Sequence, residues 1–480
     1  MPRIGSSVKP ILLLATVALS LVGNQVFGSF TTLVDNGPSA NRVDVVFLGD
    51  GYTTADLAAG TYDDHIDGYL DHMFSNTLNS DPFYRYRNFF NVHSIEVVSN
   101  EAGADIPPDG IFRDTALDAS YYFNGSTERL LSVKTSKANA ARNAGLVGAG
   151  FSAEMQYVTV NDTKYGGAGG SYAVYAGGNS SAAEVALHEV AHSFSDSADE
   201  YGGAAGPYTG SEPSEYNVTK DPTGAKWSHW LGHSQLGIGT IGAYEGARYY
   251  NTGLYRPSSN SKMRSLNKPF DAITREKIIL DVYDFVDPFD DWLDNSVPLI
   301  DPGELFVDRI DDGVIDVEWF VDSGLVPAAS GDTFDLTEFG YGAGDYVVSA
   351  RGFDPTGFDP IDGWVRINQN ELEQFVSWDI TISEPETGDF NGDLFVDGLD
   401  FLQWQRGDSP NSFSASDLAI WEANFGTTVP LSAISTAVPE PATGIMLLFG
   451  TFALFFRPDV NYWGLGSAPG FFRTGNLVSR

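Results

Sequence analysis

The sequence predicts a mixed α/β domain, followed by a small all-β sandwich and a short acidic helical segment. Three observations predict it. Between about residues 31 and 288, strand-like runs such as RVDVVFLG (42–49) and MQYVTV (155–160) alternate with helical stretches. One of these, SSAAEVALHEVAHSF (180–194), carries an apolar stripe of Ala183, Val185, Val190, Ala191 and Phe194 at helical spacing. From about 297 to 382, short β-branched and aromatic runs (LFVDRI, VIDVEWFV, DYVVSARG, FVSWDITI) are separated by Gly, Pro and Asp turns, the pattern of a sandwich. Beyond it, GDFNGDLFVDGLDFLQWQRG (388–407) and SASDLAIWEANFGTT (414–428) form two related segments, each an Asp-initiated helix with a Trp.

With 480 residues the chain exceeds one ordinary core, so several folded units are expected. A formal charge of −37, from 27 Lys+Arg against 64 Asp+Glu, repels nucleic acid and excludes polyanion partners. No cysteine is present, so there are no disulfides and any zinc site must be built from His and carboxylate. Arg3 and Lys9, the apolar run 10–23 and the small residues after it have the order of a secretory signal peptide over residues 1–28, with a mature start near Ser29. A membrane anchor is the alternative, but the run is shorter than the roughly 20 apolar residues a span needs.

The stretch HEVAHSFSDSADEY (188–201) carries the chemistry. His188 and His192, four apart on a helix, present both imidazoles on one face where they can share an ion. Glu189 sits beside them, rotated so as to reach a water without ligating the metal. A catalytic zinc takes a third protein ligand. Ser195, Asp196 and Ser197 are poor helix-interior residues, so the helix ends there and the chain turns back. That turn delivers Asp199, the preferred third ligand, or Glu200, the alternative. Asp50 in GDGYT reads as a structural turn acceptor.

Around this motif, further stretches occur in a fixed order: VDVVFLGDGYT (43–53), DPFYRYRNFFNVHSIEVVSNEAG (81–103), FRDTAL (112–117), VNDTKYGGAGGSYAV (160–174), KWSHWL (226–231), YEGARYYNTGLYRP (244–257) and SKMRSLNKPFDAITRE (261–276). Together they resemble the peptidase M64 metallopeptidases over roughly residues 43–282 and extending to the β module, with the peptidase domain expected at 29–290. The resemblance implies a metzincin-like zinc endopeptidase domain acting on a protein or peptide substrate. It also implies a methionine turn at Met263, an apolar floor under the histidines; the cysteines that flank this turn in the family are missing here. An extended substrate is expected along a sheet edge within GGSYAVYAGG (169–178), with Tyr255 or His233 as oxyanion stabiliser. Zinc-dependent hydrolysis of a non-peptide substrate keeps the same site residues.

Near the C-terminus Asp389, Asn391, Asp393, Asp397 and Asp400 fall at positions 1, 3, 5, 9 and 12 of a calcium loop, with the Phe395 carbonyl at position 7. Residues 386–428 resemble a dockerin repeat, which implies one calcium ion and a possible cohesin-like partner, although Leu394 stands where the loop usually has Gly. AVPEPATGIMLLFGTFALFFR (437–457) resembles the PEP-CTERM sorting signal, which implies a sorting enzyme and export to a Gram-negative cell surface; residues 458–480 follow as a tail of unknown role. Between the peptidase and dockerin-like parts lies the sandwich, 297–384. These outer parts motivate a rival reading, a non-catalytic surface or matrix binding protein on a peptidase fold.

Overall fold

The structure is a computed structural model describing residues 21–22, 25–203, 206–359, 361–383 and 387–428. The core of the expected leader (10–20), the sorting signal (437–457) and the tail lie outside the described residues. Two compact units form, Met1–Glu384 and Pro385–Arg480. No helix among the described residues is long and apolar enough to cross a membrane.

The first unit is organised by a seven-stranded sheet. Its order is β1 (Leu21–Val22), β2 (Gln25–Val34), β4 (Phe90–Val97), β3 (Val43–Asp50), β5 (Met155–Val160), β7 (Ala173–Ala176) and β6 (Gly167–Ala168). Strands β4, β3, β5 and β7 are parallel, and β2 and β6 run antiparallel to their neighbours. Every residue of β3 is buried. A strand without a polar face must be covered on both sides. Accordingly Val43, Val45 and Phe47 enter one core while Val46 and Leu48 enter another.

The first core is closed by α2 (Thr61–Met73), which follows the short α1 (Thr54–Ala58), together with α4 (Ala182–Ser193) and α5 (Ala272–Tyr283). The second core is closed by α3 (Thr135–Gly145) and by Leu117, Tyr121 and Leu131 of the loop before it. At the end of β3, buried Asp50 accepts hydrogen bonds from the backbone N–H groups of Leu117 and Ala119, both 2.9 Å, and holds that loop to the sheet.

GGSYAVYAGG does not supply the sheet edge. Its strand, β7, lies inside the sheet, bonded to β5 on one side and β6 on the other. The edge is Gly167–Ala168. A two-residue strand preceded by turn residues has no alternating pattern by which it could be recognised in sequence.

Two hairpins follow α4: β8 (Ser234–Gln235) with β9 (Gly239–Thr240), and β10 (Tyr244–Ala247) with β11 (Tyr250–Arg256). The sandwich packs β12 (Phe289–Trp292), β14 (Glu304–Arg309) and β17 (Thr333–Asp335) against a second sheet. That sheet has the order β13 (Leu299–Ile300), β19 (Glu373–Ile382), β18 (Gly344–Phe353), β15 (Asp316–Val321) and β16 (Gly324–Leu325). Alternate residues of β14 and β15 are buried, as one covered face requires. Trp319 stacks on Trp378 (5.8 Å) and Phe334 (5.2 Å) between them.

The sandwich is fused to the α/β part rather than hung from a linker. Arg42 forks onto Asp290 with two 2.6 Å bonds. Fully buried Asp354 accepts from Arg85 (2.9 Å) and Tyr86 (2.5 Å). Ile310, Val314 and Ile315 enter the same core as α2 and α5.

In the second unit, Asp397 caps α6 (Gly398–Arg406) through a capping box with Asp400, and Ser414 caps α7 (Ala415–Asn424). Phe401 stacks with Trp404 and Trp421, joining the two helices.

Candidate metal centre

Helix α4 runs under the edge of the sheet and is buried nearly all round, from Glu184 to Ala191. Towards its C-terminal end His188, Glu189 and His192 line a cleft. Glu184 anchors the helix from the other side. It accepts from Lys262 Nζ at 2.6 Å and the Asn267 N–H at 2.7 Å, and its other oxygen meets His72 Nε2 at 2.9 Å. Burial pushes the Glu184 carboxyl up, but these partners outweigh it and hold its pKa at about 2.

The helix stops at Ser193, and Asp196 adopts a left-handed conformation (φ 46°) that reverses the chain. The returning segment is extended, so successive side chains point to opposite faces. Ala198 and Glu200 point inward and are buried. Glu200 takes hydrogen bonds from Asn217 Nδ2 (3.0 Å) and Ser261 Oγ (2.7 Å), while its N–H donates to the Met263 carbonyl (2.8 Å). Burial, with Asp271 near it, pushes its pKa well above the carboxylate range. Asp199 and Tyr201 point the other way, into the cleft.

Asp199 Oδ1 lies 3.1 Å from His188 Nε2 and 3.3 Å from His192 Nε2, and the two Nε2 atoms are 3.1 Å apart. Ligand atoms about 2.0–2.1 Å from a tetrahedral zinc are separated by edges of about 3.3 Å. The three atoms therefore already stand close to one face of such a tetrahedron. Both remaining ring nitrogens are engaged: His188 Nδ1 bonds the Lys262 carbonyl (3.0 Å) and His192 Nδ1 the Ser197 carbonyl (2.6 Å). A carbonyl can only accept, so each Nδ1 donates and each Nε2 faces the common centre. Hard carboxylate and borderline imidazole donors suit zinc. The Glu189 carboxylate lies within 4.8 Å of the imidazole donors, beside the triangle rather than in it. Met263 is fully buried in the core that also holds Val185, Leu187 and Val190 of α4.

The electrostatics follow from this crowding. Burial opposes charge on Asp199, yet the two imidazoles hold its carboxyl well below the usual range. Burial likewise opposes charge on His192, but Asp199 outweighs it and pushes the imidazole up to about 9. Burial raises Glu189, tempered by the two histidines.

Three residues that the sequence did not single out complete the site. Arg129 Nη2 donates to Tyr201 Oη (2.9 Å), Tyr201 meets Tyr249 Oη (3.2 Å), and Tyr249 donates to Asp199 Oδ2 (2.7 Å). Because Arg129 can only donate and Asp199 can only accept, Tyr201 must donate to Tyr249. Tyr249 sits at the tip of the β10–β11 hairpin, where Arg248 and Tyr249 both have positive φ (49° and 67°). Two-residue hairpin loops of that kind favour Asn-Gly, so Arg-Tyr carries no sequence signal for the turn. The tip is held by the Arg248 N–H to the Asp199 carbonyl (2.9 Å) and the Tyr249 N–H to the Tyr201 carbonyl (3.1 Å).

Two cavities of about 280 and 330 Å³ meet at His188 and Glu189, and both are lined by Arg129, Gly167 and Tyr201. The edge strand closes their floor. A Cβ on Gly167 would come 2.5 Å from Val185 Cγ1, and one on Gly169 would come 2.4 Å from His192 Cβ. Glycine at these positions is what lets the edge approach the helix so closely. Tyr255 and His233 line neither cavity: Tyr255 pairs through its backbone with Thr219, and His233 meets Trp230 edge-on and contacts Arg366.

The profile of the family described as IgA Peptidase M64 matches residues 31–239 and 234–282. The chain belongs to the M64 peptidase family. It is therefore a peptidase, a hydrolase whose substrates are proteins or peptides, and the converging His–Glu–His cluster is compatible with the metal that such peptidases use. No curated protein matches the chain.

The M64 match ends before the sandwich and the acidic segment. There, Asp389 accepts from the N–H groups of Gly392, Asp393 and Leu394, and buried Asp400 accepts from those of Phe390, Asn391 and Asp397. Asp393 takes the Asn391 amide and the Phe395 N–H, and Phe395 pairs with Thr428. Leu394 takes the left-handed conformation (φ 71°) that glycine usually fills in such loops.

Proposed function

We propose that this M64 peptidase is an exported zinc-dependent endopeptidase with His188, His192 and Asp199 as ligands and Glu189 as general base. The observation that carries the reading is the triangle of Nε2, Nε2 and Oδ1 atoms at tetrahedral-edge spacing. A zinc ion bound there would supply a Lewis acid for the scissile carbonyl and lower the pKa of a water.

The residues do the rest. Glu189 takes the proton of the attacking water on its carboxylate and hands it to the leaving amide nitrogen; burial raises its pKa, which strengthens it as a base. Tyr249 holds Asp199 by one oxygen and leaves the other for the ion. An extended peptide lies along the cleft with cavities on either side of the cut bond; the outward N–H and C=O of Gly167 are already bonded to the Arg129 carbonyl (3.0 Å) and the Leu131 N–H (3.4 Å). Arg129 is the donor on the cleft wall that both cavities share.

The test uses the purified full chain with a diverse peptide pool, read by mass spectrometry with and without a chelator. Chelator-sensitive cleavage that vanishes in Glu189→Ala, with zinc still bound in that variant, is expected. Undiminished cleavage by Glu189→Ala ends the assignment. For the loop 389–400 the proposal is one calcium ion, supported by the left-handed Leu394 turn; a calcium-dependent rise in the melting temperature, lost in Asp389→Ala, checks it.

A further inference from the structure

The chain has 64 acidic against 27 basic residues, yet one wall of its cleft is basic. The 280 Å³ cavity on the Tyr165 side of the metal triangle is lined by Arg129, Lys262 and Arg264, with Glu189 as its one carboxylate. Lys262 is fully buried and spent on Glu184. Arg129 and Arg264 are not spent in this way. Arg129 uses Nη2 on a tyrosine hydroxyl and Arg264 uses Nη1 on the Ser259 carbonyl (2.6 Å), and neither forms an ion pair among the described residues. Their remaining N–H groups form forks suited to a carboxylate.

Position adds to this. Arg264 belongs to the turn that closes with its own N–H on the Ser261 carbonyl (3.0 Å), and the same turn gives its Lys262 carbonyl to His188. The Arg264 guanidinium is thereby tied to the frame of the metal ligands and not to a wandering loop. Tyr165 and Leu266 line the cavity as well and offer apolar surface to a side-chain stem. At physiological salt, fields are screened beyond about 8 Å, so the local arginines outweigh the distant acidic surface for a group inside the cavity.

On the peptidase reading above, we propose that this cavity is a specificity subsite that takes a carboxylate of the substrate peptide, with Arg264 and Arg129 as its receptors. The carboxylate is that of an Asp or Glu side chain near the cut bond. A peptide's C-terminal α-carboxylate has the same chemistry, but the second cavity beyond the triangle leaves room for chain on both sides.

The test uses the zinc-loaded full chain and quenched fluorescent peptides of one scaffold. Each carries Glu, Gln, Ala or Lys at successive positions around the cut bond, and each is made as C-terminal acid and as amide. At one position Glu is expected to exceed Gln by about tenfold in kcat/KM, the scale of one charge-assisted hydrogen bond. That ratio should collapse towards one in Arg264→Gln, and in Arg264→Glu the preference should turn to Lys. A preference that follows the acid over the amide assigns the same receptors to the α-carboxylate. The absence of any Glu preference, or a ratio untouched by Arg264→Gln in a variant with normal melting temperature, overturns the proposal.

Failure of the peptidase reading itself would look different: no peptide is cut. Binding of the same labelled peptides to Glu189→Ala, read by fluorescence anisotropy, then decides. Tighter binding of the Glu peptide, lost on adding Arg264→Gln, upholds the subsite without turnover; equal binding of Glu and Gln peptides removes it.

Discussion

Tyr249→Phe removes one oxygen atom and should weaken zinc binding about tenfold. In the native site the two oxygens of Asp199 have separate tasks: Oδ1 faces both imidazoles, and Oδ2 takes the Tyr249 hydroxyl at 2.7 Å. Without that hydroxyl the carboxylate can rotate, and its aim at the centre is no longer fixed. A hydrogen bond to a charged group contributes about 1.5–3 kcal/mol. Tyr249 is 47 % exposed, so water can replace part of it, which favours the low end, about 1.4 kcal/mol or tenfold. Loss of an outer partner of a metal ligand generally costs 10–100-fold, consistent with that figure. The assay is a competition titration against a chromophoric chelator at fixed pH, paired with thermal melting. Tyr201→Phe, one bond further out, should give a smaller effect. A zinc affinity within about twofold of wild type in Tyr249→Phe, with an unchanged melting temperature, would refute the claim that the hairpin tip orients Asp199.

Other expected outcomes follow from neighbouring residues. Asp199→Asn should abolish stoichiometric zinc binding, measured by metal analysis after gel filtration, while Glu200→Gln should retain it. Glu200→Gln carries a further signature in pH. The folded-state pKa of Glu200 is raised, so its contribution is complete below the ordinary Glu range and declines as pH rises through the elevated value; the variant should gain stability over wild type as pH increases, read by chemical denaturation. Lys262→Met leaves Glu184 buried without its cation and should cost about 3–5 kcal/mol in denaturant unfolding. For Glu184 itself the shift from 4.5 to about 2 caps its contribution at about 3.4 kcal/mol, reduced because burial lowers the Lys262 ammonium pKa. That contribution is present above pH 4.5 and lost as pH falls towards 2.

Much of the scaffold could be read locally. RVDVVFLG and MQYVTV carry apolar residues on both faces, which suits a doubly covered strand, and they appear as Val43–Asp50 and Met155–Val160. In the sandwich, alternation marked strands that the structure places within two residues of the expected bounds. His188, Glu189 and His192 were legible because helix geometry alone brings positions four apart together. The edge strand was not, because two residues, Gly167 and Ala168, carry no period.

What the sequence by itself determined is whatever depends on near neighbours: the apolar periods, the helix of the two histidines, and the chain reversal after Ser193. Adjacent Asp199 and Glu200 have the same chemistry, and only the tertiary structure turns them to different faces. Asn217, Ser261 and the Met263 carbonyl seize one face of the extended segment, and alternation turns Asp199 to the other. Arg129, Tyr249 and Arg264 reach the cleft from parts of the chain 57 to 76 residues from the histidines. Contacts over such separations are made by packing, which no local pattern encodes.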